Sequence, residues 1–415
     1  MKNKIISWIF LSLTILGAYA ISIFDGYNLL FLLFLIINIG FIGYFAPKID
    51  KTVLSVSRIL VGVLFVYSGI VKGIDPLGTQ FKIEDYFYAY GMDWAAPYAL
   101  ILSVLLNAVE FSMGALLLFR VKTKYVSILS LIMMLLFTVT TLYDALYSPV
   151  PDCGCFGDAL IISNWQTFYK NLIINALVIL LFVRRKDFSV YKSKVLEYSA
   201  LLGIVFGFIF FESYNINNLP MIDFRSWKVD SRLLPANPEP IKYYLTYKNK
   251  KTGDTKEYIS KELPWQDSVF MADWKWLSSR EIDPNISEMN TFPMIGEDGA
   301  DHSKEIVSYQ GDTYIFIIYS VAKVKDKPAQ YIKSFIDIAE QVGYRVVMLN
   351  SDLPEDYQKF IDENNIADIK IYNSDDTALK AAIRSNPGLI IVRDGKVVAK
   401  YHHNNFPDIS KLINK

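Results

Sequence analysis

The chain has 415 residues, of which 52% are hydrophobic and 15% aromatic, and its 42 Lys and Arg balance its 42 Asp and Glu. So apolar a composition argues against a wholly soluble protein, and a net charge of zero leaves no bulk field directed at nucleic acid. The length exceeds one ordinary core and sets an expectation of two or three units.

Residues 1 to about 212 hold the long apolar runs, while 213–415 read as soluble. About twenty mostly apolar residues cross a hydrocarbon core. Segments 5–24, 28–46, 54–72, 96–119 and 125–146 meet that length, and 167–183 and 197–211 are shorter candidates. The expectation is an α-helical membrane bundle of about seven spans. Met1-Lys2-Asn3-Lys4 before an apolar run has the form of a signal peptide. No small-residue cleavage site precedes Phe24-Asp25-Gly26, so a retained first span is expected.

Lys and Arg in short loops set orientation. Lys2 and Lys4 precede the first span, Lys48, Lys51 and Arg58 follow the second, Arg120, Lys122 and Lys124 follow the fourth, and Arg184, Arg185, Lys186, Lys192 and Lys194 follow the sixth. The alternate loops are acidic, with Asp25, then Asp75, Glu84, Asp85 and Asp93, then Asp144, Asp152 and Asp158; Lys72 and Lys82 are exceptions. This pattern predicts a cytoplasmic N-terminus and an extracytoplasmic C-terminal half.

Within the spans, Glu110 is the residue that most needs a partner, water or a proton, because its stem is too short to snorkel. Arg58 opens the third span and Lys72 closes it, with Asp75 and Pro76 following. Snorkelling to the two interfaces competes with a functional role for both. Gly62 and Gly69, two turns apart, predict close helix packing. Tyr86–Tyr90 suits an interfacial aromatic belt.

After the fifth span comes Ser148-Pro149-Val150-Pro151-Asp152-Cys153-Gly154-Cys155-Phe156-Gly157-Asp158, a turn by its Pro and Gly. It holds both cysteines of the chain. Three explanations compete. One is a reversible disulfide, with Gly154 supplying unusual backbone angles in a small, strained ring. The second is a metal site. The three histidines, His302, His402 and His403, all lie in the soluble half, so further ligands are missing beside the turn. The third is a structural staple, which gains little across so short a loop.

Asp152-Cys153-Gly154-Cys155-Phe156-Gly157 resembles the Cys-x-Cys-Phe-Gly signature of the DoxX/MauE group of redox-associated membrane proteins. Arg58, Gly62, Ser68, Gly69 and Lys72 with Asp75-Pro76 resemble the first helix of that domain, and Glu110 with Gly114 its second. The resemblance covers about residues 53–186, a four-helix unit. It implies a bacterial inner-membrane protein linked to disulfide or electron-transfer chemistry. MauE itself is associated with maturation of a disulfide-rich methylamine dehydrogenase subunit.

In the soluble half, strands are expected at 313–320, 345–350, 368–372, 388–393 and 396–401, and helices at 328–342, 354–364, 376–384 and 407–413. Asp394-Gly395 marks a hairpin. The alternation predicts an α/β sheet with a terminal antiparallel pair. It resembles the thioredoxin fold, with Asn386-Pro387 where that family keeps its cis-proline. Where thioredoxins carry Cys-x-x-Cys, this chain reads Ser320-Val321-Ala322-Lys323, so dithiol exchange is excluded there. Lys248–Asp254 reads as a hairpin tip within a β-containing lead-in. Trp265, Trp274 and Trp276 read as packing, and adjacent His402 and His403 as surface or edge residues.

The expected organisation is two N-terminal helices at 1–52, a DoxX/MauE-like domain at 53–186, a last span within 187–212, the lead-in at 213–300 and a thioredoxin-like domain at 301–415. Cys153 and Cys155 are the expected redox residues, with Arg58, Lys72, Asp75, Glu110 and Asp152 in support. An extracytoplasmic protein partner is expected, and a quinone is a candidate cofactor. The alternative is a non-enzymatic membrane scaffold whose redox-dead domain binds a partner. A transporter is disfavoured because no inverted repeat is evident.

Overall fold

The structure is a computed structural model that describes residues 2–188, 193–235, 237, 239–262, 264–285, 291–366 and 369–410. The chain divides into two units, Met1–Phe224 and Arg225–Lys415.

The first unit is helical: α1 Lys2–Ile21, α2 Leu29–Phe45, α3 Lys51–Ile74, α4 Pro76–Ala89, α5 Ala99–Leu118, α6 Thr123–Tyr147, α7 Asn164–Val183 and α8 Lys194–Asn217. Among the described residues seven helices are long and apolar enough to cross a membrane, all of these but α4. Their polarity is inverted relative to a soluble bundle. Leu30, Ile37, Leu136, Val139 and Phe210 face outward, while Ser57, Ser103, Asn107, Ser127, Ser130 and Asn171 are buried. In lipid, apolar side chains gain nothing by turning inward, so helices associate through small residues and interhelical hydrogen bonds. Both are present. Asn171 donates to Thr141 at 3.0 Å and Asn175 to Thr138 at 2.7 Å, tying α7 to α6. Gly62 and Gly69 of α3 meet Gly114 and Phe111 of α5 so closely that a β-carbon on Gly114 would lie 2.6 Å from the Val66 nitrogen.

Hydropathy gave no sign of α4, which carries Lys82, Glu84 and Asp85. Its start is nonetheless encoded: Asp75 is the N-cap, accepting from Gly78 N at 2.9 Å, and Pro76 occupies the first turn. Tyr88 faces outward, as an interfacial belt requires, but Tyr86 turns into the bundle.

The second unit holds two sheets. β1 Lys242–Asn249, β2 Thr255–Ile259 and β3 Trp274–Ile282 form an antiparallel sheet in the order β2-β1-β3, with the short helix α9 Ser268–Asp273 before β3. The expected hairpin lies between β1 and β2, where Lys248 faces Thr255. Its tryptophans are not a packed cluster. Trp274 stacks on Phe270, whereas Trp265 and Trp276 are exposed. β3 is exposed along most of its length.

After α10 Ser303–Val307 come β4 Asp312–Ile318, α11 Asp326–Val342, β5 Arg345–Asn350, α12 Pro354–Glu363, β6 Lys370–Asn373, α13 Asp376–Ala382, β7 Gly388–Arg393 and β8 Lys396–His402. The sheet order is β6-β5-β4-β7-β8, with β4, β5 and β6 parallel and β7 and β8 antiparallel to their neighbours. This is a thioredoxin-like topology. α11 buries Ala329, Ile332, Phe335, Ile336 and Ala339 at helical spacing and ends on Gly343 at φ +78°. The β7–β8 hairpin turns at Asp394 and Gly395, both at positive φ. Backbone pairing continues past both edges: Ile295 bridges to Asn373 of β6, and Arg232 to Lys396 of β8. The helix expected at 407–413 passes outside the described residues at 411.

Candidate functional site

The cysteine turn lies between α6 and α7. Asp152 shapes it by accepting from Gly154 N at 3.0 Å, and Gly154 takes φ +62°, a conformation a β-carbon would oppose. Lys82 of α4 pairs with Asp152 at 2.8 Å, and Ser68 of α3 donates to the Cys155 carbonyl at 2.7 Å. The turn is thus fastened to two helices.

Cys153 and Cys155 are thiols, partly buried and hydrogen-bonded to one another. The Cys153 thiol donates to Cys155 and, with the Lys170 and Lys72 ammonium groups, draws the Cys155 thiol down to about 6 against the opposing effect of burial. Cys153 moves the other way, because Cys155 holds its proton and burial disfavours its charge. The pair is therefore asymmetric, with Cys155 as the thiolate.

Both cysteines open on a cavity of about 180 Å³ inside the helical unit. Leu64, Phe65, Leu106, Met134, Phe137 and Ile174 supply apolar wall. Lys72 and Glu110, which face each other as a buried ion pair between α3 and α5, supply charge. Tyr86 also faces the cavity and donates to Asp144 at 2.7 Å. Burial, then that bond, pushes its phenol well above its ordinary value, so it stays a hydrogen-bond donor.

The expected supporting residues separate into two groups. Lys72, Glu110 and Asp152 gather around the cysteines. Lys72 does not snorkel, because Glu110 offers a counter-ion that the interface would otherwise supply. Arg58 does not snorkel either. It is buried at the opposite end of α3 and donates to the carbonyls of Leu117 and Leu118, closing the last turn of α5. Asp75 serves as the cap of α4. Three contributors escaped the sequence reading. Lys170, within the sixth apolar segment, lies over the Phe156 ring at 4.4 Å and acts on both sulfurs. A lysine among apolar residues was the available signal. Lys82 was visible as an exception to the outer loop charges. Asp144 looked like a loop acid but is fully buried in the last turn of α6.

In the second unit, the corner that follows β4 is closed. Asn386 donates from Nδ2 to Ser320 O at 2.7 Å and accepts from Ser320 N at 3.3 Å, and the Val321 amide donates to Asp352 at 2.6 Å. Asn386-Pro387 is cis. His402 is buried, not at the surface, and its ring centroid is 4.1 Å from that of His403. The strand ends at His402 and a 3₁₀ turn begins at His403, so strand alternation no longer separates the two rings. His403 Nδ1 lies 3.1 Å from Ser385 Oγ. Among the described residues no cluster of three or more His, Cys, Asp or Glu is placed to hold a metal ion.

A polytopic helical segment with a dithiol turn, followed by a thioredoxin-like sheet, defines the class of protein. Residues 50–184 match the family model described as methylamine utilisation protein MauE. The second unit has structural neighbours among solved proteins. One is a thiol:disulfide interchange protein from Bacteroides sp., at 18% identity over 30% of this chain and 81% of that one, TM-score 0.24. Another is the thioredoxin domain of a thiol-disulfide oxidoreductase from Bacteroides vulgatus, at 18% identity over 29% and 92%, TM-score 0.24. A third is a peroxiredoxin-like protein from Aquifex aeolicus, at 15% identity over 30% and 80%, TM-score 0.24. No curated protein matches the chain.

Proposed function

We propose that the helical unit is a thiol–disulfide redox module of a bacterial inner membrane, with Cys153 and Cys155 on the extracytoplasmic side. The observation that carries this reading is a dithiol flanked by Lys72 and Lys170 at the wall of a largely apolar cavity. The outward placement follows from the alternation of basic and acidic loops.

The exchange step balances within the pair and its partner. Cys155 thiolate attacks one sulfur of a partner protein's disulfide, forming a mixed disulfide and releasing one partner thiolate. Cys153 then gives its proton to the released partner thiolate and attacks the Cys155 sulfur, releasing the second partner thiolate. Two electrons pass to the partner and a Cys153–Cys155 disulfide results. The reverse sequence oxidises a partner dithiol. A quinone is the cofactor we propose for the cavity's apolar wall, with Lys72 as a donor to one of its oxygens, and when bound it would supply a lipid-soluble two-electron couple. The test is to trap the mixed disulfide in cells carrying Cys153→Ser: an adduct through Cys155 is expected. No adduct, together with a normal phenotype for the double serine variant, would remove the reading.

The second reading is a membrane scaffold. It is favoured by the cysteine-free corner at Ser320, which Asn386 closes. In that case the Cys153–Cys155 pair would be found locked in one redox state under all growth conditions.

A further inference from the structure

Glu212 lies in α8, outside the segment that matches the MauE model. It is 0% exposed, and neither carboxyl oxygen has a hydrogen-bond partner. The helix face that carries it is packed tightly: Phe208 stacks on Phe111 of α5 at 4.2 Å, Phe208 and Phe211 press on Gly73 of α3, and Asn215 donates to Gly73 O at 3.1 Å. Glu212 is therefore held at the level of Lys72, the neighbour of Gly73. The polar side chain facing it is Asn107, itself fully buried, whose amide nitrogen reaches Lys72 O at 3.5 Å and Ser103 Oγ at 3.4 Å and whose Oδ1 is unpartnered.

Among the described residues Glu212 has no ion-pair partner. Lys72 on α3 is taken by Glu110, and Lys82 on α4 by Asp152; α5 contributes only Glu110. A bare carboxylate at this depth is expensive, and the Asn107 amide alone does not offset its charge. A proton removes the charge.

We propose that Glu212 is a proton-binding site: a neutral acid while Glu110 pairs with Lys72, and the reserve counter-ion that ionises when Glu110 is neutralised. With both roles together, the cluster of Lys72, Glu110 and Glu212 carries one proton and no net charge in either arrangement. Glu212 is a positioning residue, acting on the cysteines only through Lys72.

Infrared spectroscopy of the full chain in lipid vesicles, compared in H₂O and D₂O, tests this. A deuterium-sensitive carbonyl component of a protonated acid is expected in the wild type, absent in Glu212→Gln, displaced in Glu212→Asp, and lost in Glu110→Gln, where Lys72 takes the Glu212 carboxylate. Wild-type and Glu212→Gln spectra that superimpose overturn the site. A component unchanged in Glu110→Gln overturns the reserve role. The component is expected to persist in the Cys153→Ser/Cys155→Ser variant, so the outcome is separable from the fate of the redox reading.

Discussion

Lys72 and Glu110 face each other as an ion pair across the interface of α3 and α5, each side chain only 6% exposed. The glycine contacts of Gly62, Gly69 and Gly114 bring these two helices close enough for the charges to meet. A buried pair is costly to form and more costly to break, because removing one partner strands the other.

Glu110→Leu or Lys72→Met alone should therefore destabilise the bundle by about 3–5 kcal/mol, unless Glu212 takes Glu110's place beside Lys72. The double change should recover most of that loss. Thermal unfolding in detergent measures it, and the Glu110 single variant should be the milder of the two. Equal, additive losses would contradict the pairing.

Cys155 reactivity should follow its thiolate. Alkylation of Cys155 in the wild type should rise through about pH 6. Cys153→Ala removes the donated hydrogen bond, and Lys170→Met removes a nearby positive charge, so each should shift the rise to higher pH. Mass spectrometry of maleimide labelling across pH reads both. A shift to lower pH in either would reverse the assignment of thiolate and thiol.

Gly114→Ala drives a methyl group against the Val66 backbone and should cost about 1–3 kcal/mol. Gly203→Ala meets nothing within 4 Å and should be neutral or stabilising by about 0.5–1 kcal/mol, since alanine is the better helix former. Comparing melting temperatures of the two variants separates close packing from simple helix propensity.

His402 is held neutral, down to about 4, first by burial and then by the charge of His403. The unfolded chain binds a proton at a higher pH than the fold does, so stability is present above the unfolded value of about 6.5 and is lost as pH falls toward 4. The loss should be on the order of 2–3 kcal/mol. His402→Asn should flatten the fall, read as the pH dependence of melting of the second unit's near-ultraviolet signal.

The seven spans and the α/β alternation could be read because each rests on a local pattern: apolar runs of membrane length, strands ended by Gly or Asp-Gly, and the α11 stripe. The cysteine turn was equally local. What could not be read was distance. Glu110 announced a missing partner, but only the fold shows Lys72 meeting it. Lys170 was hidden by hydropathy averaging, which absorbs a single charge into an apolar window, and Asp144, near the end of its span, read as a loop acid. α4 was hidden because it is short and charged, although its Asp-Pro start was legible as a helix cap. His402 was misplaced because strand alternation was carried one residue past the end of the strand.

The bridge between Asn386 and Ser320 has a consequence for recognition. It uses the main-chain N–H and C=O of Ser320, the groups through which an extended peptide would join that corner. Ile295 and Arg232 also pair with the outer strands β6 and β8. The small sheet has β2 and β3 as its outer strands, each paired on one side only among the described residues. A visiting segment that binds by strand addition would find an open template along β3, which carries exposed Trp276 and Leu277.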